Sequence, residues 1–391
     1  MKTKKYIIIY FLFCALVLGN GAIPTALAKV LLVLGASTYL IPGSRTWMIL
    51  KPYFLWCILF SGFCIASVNW AYNRNEAMSW ITTIVFVYIC NVSLSAIIIN
   101  QKNDIHFNLK LFVYFGLLMC ISFLLTNGLQ YGEELDRTDS KMNMNTIGMV
   151  AATTFVISFY LHKWESRFKK SNKFLIIAFL SIVIVLLSAS RKALLIPFIA
   201  YAISKLAGKK PSRVFMYIAF LSIVGVLSLW AILKVPILYN IVGYRIEGLI
   251  NGFFDTGGDI DASTKTRMIF IEVGMIFFGQ NPMFGNGAAN FGALYADFFP
   301  GRDPVFAHNN YVELLADYGI IGTLLYYSFY IFIIVKLLNI IKFTKDQVAI
   351  LFLSIILSLM VVQYGFVAYY DLFTNIILSF TACYVLTKKY K

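Results

Sequence analysis

Apolar runs of about eighteen residues or more recur from one end of this chain to the other, and a run of that length can cross a bilayer as a helix. This recurrence constrains the fold more than any motif does. Hydrocarbon offers backbone N–H and C=O groups no water, so a spanning segment must be a helix or part of a closed barrel. A barrel strand alternates apolar and polar residues, whereas the runs here are continuous. The chain reads as an all-α polytopic membrane protein, a single integral membrane domain over residues 1–391. Its composition of 60% hydrophobic and 13% charged residues agrees with that class.

About twelve spans are expected by length, at 6–23, 25–41, 53–72, 78–99, 107–127, 145–162, 174–189, 192–207, 214–233, 318–340, 348–368 and 371–387. Lys2, Lys4 and Lys5 place the N-terminus in the cytoplasm. Alternation then sends Arg45, Lys51, Lys102 and Lys110 to the cytoplasmic side, with the basic clusters at 163–173, 205–213, 336–345 and 388–391. These are most of the 33 basic residues, and only Asp104, Glu165 and Asp346 of the 18 acids join them. The pattern obeys the positive-inside rule at nearly every loop and puts both termini in the cytoplasm. It also accounts for the net charge of +15, so nucleic acid is not an expected partner. The first residues, basic then apolar and followed by Ala26-Leu27-Ala28, have the outline of a signal peptide. In a multi-span chain they read as a retained signal-anchor.

Cys14, Cys57, Cys64, Cys90, Cys120 and Cys383 all fall inside apolar runs and none pairs with a histidine at zinc spacing, so they read as small packing residues. Two outer loops stand out. Residues 128–144 are short and acidic, with Glu133, Glu134, Asp136 and Asp139. Residues 234–317 form a long loop whose Phe, Ile and Met content argues against disorder. Within it Met268, Ile271, Met275 and Phe278 recur at helical spacing, which suits a helix lying at the membrane interface. Asp255, Asp259 and Asp261 do not have the spacing of a helix-loop-helix calcium site and read as solvated loop.

Three constellations fall on the outer side. His308 and Asn309 end the long loop, and Gly319 and Gly322 follow on the helix that re-enters the bilayer. Asn309 or Asn310 can cap that helix, and Glu313 stands three residues after Asn310 as in a capping box. A histidine just outside a helix N-terminus is biased towards the neutral imidazole. The two glycines would free one helix face for close packing. Ser190-Arg191-Lys192, followed by Leu195, interrupts apolar sequence between 174 and 207. Arginine offers a planar fork to phosphate oxygens and lysine a point charge. Arg267 precedes the tight-turn segment Asn281-Pro282-Met283-Phe284-Gly285-Asn286-Gly287. An imidazole beside guanidiniums at a membrane surface points to chemistry on an anionic, lipid-linked substrate. His106 and His162 fall on the cytoplasmic side and look incidental.

These residues resemble the O-antigen polymerase and O-antigen ligase superfamily of bacterial envelopes. His308-Asn309 with Gly319 and Gly322 is similar to its His-Asn, nine residues, Gly-x-x-Gly motif, and Arg191 with Leu195 to its Arg, three residues, Leu motif. Arg267 followed by Pro282, Gly285 and Gly287 looks like its arginine and Pro-x-x-Gly-x-Gly turn. Asn143 and Asn145 resemble its Asn-rich stretch, and Lys192 stands where relatives often have a small residue. The resemblance implies a C-type glycosyltransferase fold in the bacterial inner membrane, metal-independent and inverting, with no cofactor and with its active site on the outer face. The implied donor is an undecaprenyl-diphosphate-linked glycan, and a chain-length regulator and a flippase are the implied protein partners. His308, Arg191 and Arg267 would be catalytic, with Lys192, Arg245, Arg302, Asn309 and Tyr311 binding substrate. A polymerase of oligosaccharide repeat units for O-antigen or capsule is the first expectation. A ligase moving finished glycan to lipid A-core or another acceptor is the second, and a lipid-linked oligosaccharide flippase the third.

Overall fold

The computed structural model describes residues 41–100, 104–127, 144–168, 171–188, 190–209, 211–236 and 262–388, with a few positions between 239 and 250. The first two expected spans, the signal-anchor segment, the acids at 133–139, Asn143, Arg245 and the aspartates at 255, 259 and 261 lie outside the described residues.

All regular structure among the described residues is helical. In chain order the helices are α1 (Arg45–Ser67), α2 (Arg74–Asn100), α3 (Ile105–Asn127), α4 (Met144–Glu165), α5 (Lys173–Leu187) and α6 (Arg191–Leu206). They continue with α7 (Pro211–Lys234), α8 (Ala262–Gln280), α9 (Phe291–Phe298), α10 (Asn310–Thr344), α11 (Gln347–Val362) and α12 (Leu372–Thr387). Six helical stretches among the described residues are long and apolar enough to cross a membrane, so the protein is an all-α, multi-pass membrane protein. Apart from the first two, each expected span overlaps one of these helices, though α1 begins at Arg45 rather than near 53 and α10 at Asn310 rather than near 318.

The charged helix ends converge as antiparallel alternation requires. Glu165 at the end of α4 accepts from Lys110 of α3 at 2.9 Å and lies 3.3 Å from Lys173 of α5. Asp346, the N-cap of α11, pairs with Lys388 after α12 at 2.6 Å. Arg191 and His308 begin or precede helices at the other end. Between the two ends, α1, α2, α10 and α12 pack around aromatic rings. Trp56 of α1 stacks on Phe329 of α10 at 5.1 Å, and its indole donates to the Leu325 carbonyl at 2.9 Å. Tyr53 and Ser379 exchange a buried hydrogen bond of 2.9 Å, which ties α1 to α12. Such buried polar contacts hold helices together where no hydrophobic gradient separates protein from lipid.

The part of the fold that positions the site is a break in α10. Gly319 has φ 63° and ψ −166°, a conformation open essentially to glycine alone. The helix is interrupted there, and the turn at 281–287 is laid against the gap. Ile320 N donates to Pro282 O at 2.8 Å and Ile321 N to Met283 O at 3.2 Å. In return Asn286 N donates to Ala316 O at 2.9 Å and Gly287 N to Asp317 O at 2.8 Å. Backbone groups orphaned by the break thus find partners inside protein, as apolar surroundings demand. The approach is too close for side chains. A Cβ on Gly285 would overlap the Asp317–Tyr318 backbone, and one on Gly319 would lie 2.5 Å from the Met283 carbonyl carbon. The spacing of Gly319 and Gly322 suggested a shared packing face, and the structure separates their roles. Gly319 is a backbone break, whereas Gly322 makes room for the Tyr318 Cβ on its own helix and for the Phe63 ring of α1, 2.8 Å from where its Cβ would be.

The expected span 348–368 is also shorter than its apolar run. α11 ends at Val362, a 3-10 turn occupies Gln363–Gly365, and α12 starts behind the Asp371 cap. The buried side chain of Asn310 stabilises this interruption by accepting from Ala368 N at 2.7 Å and Tyr369 N at 3.0 Å.

Gly319→Ala should therefore cost at least the strain of its backbone region, about 1–3 kcal/mol. Gly322→Ala carries no such backbone strain, but its methyl would meet the Tyr318 Cβ and the Phe63 ring, so it too should be destabilising. Thermal midpoints of the two detergent-solubilised variants check this, and a parent-like midpoint in either would contradict the close contacts.

Candidate functional site

Helix α5 ends at Leu187 and α6 begins at Arg191. Ser190 is anchored to α4 by its hydroxyl, which donates to Asn145 Oδ1 at 3.1 Å. Gly148 of α4 leaves the room, since a Cβ there would lie 2.6 Å from Ser188 Oγ. Arg191 and Lys192 consequently occupy the first turn of α6. Cations at a helix N-terminus oppose the helix dipole, so an anion bound there would be favoured by the dipole and by both side chains.

Lys192 Nζ donates to Gly365 O at 3.1 Å and lies 5.0 Å from the centre of the Phe366 ring. Arg191 Nη1 reaches Thr264 Oγ1 of α8 at 3.5 Å. Arg267 follows Thr264 by three residues and so shares its helix face. Its Nη1 lies 4.0 Å from the place of a Cβ on Gly365, which brings α6, α8 and the α11–α12 connection to one point.

His308 completes the group from the loop before α10. Its φ of 50° is the left-handed region, uncommon for a side-chain-bearing residue. Asn309 is the N-cap, its Oδ1 accepting from Tyr311 N at 3.0 Å and Val312 N at 3.3 Å. Asn310 is therefore not the cap, and Glu313 does not form the expected capping box. Glu313 Oε2 instead accepts from Ala307 N at 2.8 Å. The His308 ring sits 5.9 Å from that of Phe270 on α8.

Arg191, Lys192, Arg267, His308 and Asn309 all line one cavity of about 630 Å³. Its remaining walls are mainly apolar, among them Leu186, Leu194, Leu195, Phe198, Ile271 and Val361. No carboxylate is found in that lining among the described residues. The imidazole opens onto the cavity, yet protein packs around it. That burial, first, and then Arg267 and Lys192 lower its pKa to about 4. It is a neutral base at ordinary pH.

The other residues singled out in the sequence lie apart. Tyr311 donates its hydroxyl to Met360 O at 2.7 Å and stacks on Tyr327 at 5.3 Å, outside the cavity lining. Arg302 is exposed in the loop after α9 and also lies outside that lining. His106 stacks on Trp164 at 4.0 Å, among the charged helix ends opposite the cavity. Thr264, Tyr364 and Gly365 join the cavity without having been anticipated. The polar Gln363-Tyr364-Gly365 break inside an apolar tract was the available signal for two of them.

The helix expected around 264–279 exists as α8. Phe270, Val273 and Phe277 are buried, while Met268 and Met275 are exposed. α8 is apolar on two sides, and spacing alone could not tell which side packs on α10. No group of three or more His, Cys, Asp or Glu gathers at metal-binding distance among the described residues.

Residues 176–327 match the family described as O-antigen ligase. The matched stretch lies in the central part of the chain and includes Arg191, Arg267 and His308. None of the curated proteins matches the chain.

If neighbouring cations hold down the His308 pKa, Arg267→Gln should raise it part of the way towards 6.5, because burial remains. The pH dependence of carbethoxylation at His308, followed by peptide mapping, reads the midpoint. An unchanged or lower midpoint in the variant would contradict the arrangement.

Proposed function

We propose that this protein is a glycosyltransferase of the ligase type. It moves a glycan from an undecaprenyl-diphosphate carrier to an acceptor hydroxyl at the outer face of the bacterial inner membrane. One observation carries the reading: His308, Arg191, Lys192 and Arg267 meet at a single cavity whose other walls are apolar. A lipid-linked diphosphate has the matching chemistry, a concentrated negative charge on an apolar chain. The description of the matching family favours a ligase over the repeat-unit polymerase first expected from the sequence. Both reactions use the same donor half and differ in the acceptor.

In the proposed step the acceptor hydroxyl gives its proton to neutral His308 as its oxygen bonds to the anomeric carbon. The bond from that carbon to the diphosphate oxygen breaks, and the electron pair leaves on the diphosphate. A single displacement inverts the anomeric centre. General-base assistance is worth about 10²–10⁴-fold. Arg191, Lys192 and Arg267 stabilise the charge that grows on the departing diphosphate, in surroundings where water screens it poorly. In this reading they supply the positive charge that a divalent ion would otherwise bring.

The pH dependence follows with its sign. A pKa of about 4 leaves His308 neutral and competent above that pH in the free enzyme. Bound diphosphate offsets Arg267 and Lys192 and so raises the pKa. The acid limb of kcat should lie at higher pH than that of kcat/KM, because the two report the complex and the free enzyme. Coincident limbs would contradict a diphosphate seated beside those cations.

Deletion of the gene in its host, with gel analysis of surface and carrier-linked glycan, tests the reaction class. Finished glycan stranded on its carrier is the expected result, with His308→Ala failing to restore transfer. A single repeat unit left on the final acceptor would replace the ligase reading with the polymerase. Normal surface glycan would overturn both and favour a transporter.

A further inference from the structure

We propose that Glu313 is a positioning residue for His308, holding the imidazole at the cavity through the backbone of Ala307; this rests on the reading of His308 as the general base. Glu313 is 1% exposed and lies one turn inside the apolar helix α10, where a carboxyl group is costly and calls for a use. It is not among the residues lining the cavity, so it does not touch the substrate of the proposed reaction. Its two oxygens are used unequally. Oε2 accepts from Ala307 N at 2.8 Å, and Oε1 has no hydrogen-bond partner among the described residues.

The bond to Ala307 closes a small clamp. On the far side of His308, the Asn309 side chain caps Tyr311 N and Val312 N, and Asn309 O accepts from Glu313 N at 3.0 Å. The residues on both sides of His308 are thus tied to the first turn of the same helix. His308 stands at the apex with φ 50°, a conformation that an unrestrained histidine seldom adopts. Freed of the Glu313 bond, Ala307 N would be a buried donor without its partner, and the loop would move to find one. His308 would then relax towards the commoner φ and leave its place beside Phe270. The Ala307 amide needs an acceptor and not a charge, so a glutamine side chain should serve as well as the carboxylate.

The experiment compares Glu313→Gln, Glu313→Leu and His308→Ala in the full-length detergent-solubilised protein. Each is read in two ways: steady-state transfer from a lipid-diphosphate glycan, and the rate of carbethoxylation of His308 in the first two. Glu313→Gln should keep kcat within about threefold of the parent, with the parent rate of His308 modification. Glu313→Leu should lose about ten- to hundredfold in kcat with donor KM little changed, the signature of a misplaced catalytic group. Its His308 should be modified at a clearly different rate. The positioning role is overturned if Glu313→Gln falls as far as Glu313→Leu, which would assign the role to the charge or proton of the acid. It is equally overturned if Glu313→Leu keeps parent kcat and parent modification rate. The modification rate does not depend on the reaction. If His308→Ala transfers glycan as the parent does while Glu313→Leu still alters His308 reactivity, the general-base reading fails and the structural clamp stands.

Discussion

The gap in α10 at Gly319 is the constraint on which the rest of the structure depends. A helix broken inside an apolar environment must find partners for the N–H and C=O groups it orphans. The turn at 281–287 supplies them, through bonds from Ile320 N and Ile321 N and to Ala316 O and Asp317 O. That exchange locks α8, which leads into the turn, against the first part of α10. Arg267 is on α8 and His308 immediately precedes α10, so one set of backbone hydrogen bonds sets the relation between them. The glycines of the two motifs belong to a single joint, as the contacts that side chains would make at Gly285 and Gly319 show.

The second determinant is electrostatic. Arg191 and Lys192 sit at a helix N-terminus, Arg267 is close by, and the cavity lining contributes no carboxylate among the described residues. In the proposed reaction a multivalent anion would sit beside all three. Burial first, and then Arg267 and Lys192, keep His308 neutral, which the proposed role as a base requires. The apolar remainder of the cavity strengthens both effects by keeping the local dielectric low.

Much of this was legible in the sequence, for definable reasons. Apolar length located the six described helices long enough to cross a membrane, because the bilayer acts on each segment separately. Arg191, Lys192, Arg267 and His308 were legible because charge is conspicuous in an apolar chain. What escaped depends on contacts between distant segments. The role of Gly319 appears only once Met283 and Gly285 lie against it. Asn309 and Asn310 look equivalent in sequence, but only the first caps α10, while the second reaches the 368–369 backbone. Tyr311 was expected to contact phosphate or sugar, and its hydroxyl donates to the Met360 carbonyl. The stripe of α8 read from spacing leaves Met268 and Met275 exposed, and only the fold shows that Phe270, Val273 and Phe277 are the residues buried against protein.

The most direct measurement separates donor binding from transfer in a single turnover. Purified parent, His308→Ala and Arg267→Ala proteins would be held in excess over a radiolabelled lipid-diphosphate glycan, with bound and transferred glycan counted together. With His308 as the base and Arg267 as a diphosphate ligand, His308→Ala binds the donor as the parent does but transfers it at least about a hundredfold more slowly, while Arg267→Ala loses binding and transfer together. Transfer by His308→Ala at the parent rate would contradict the assignment of the base.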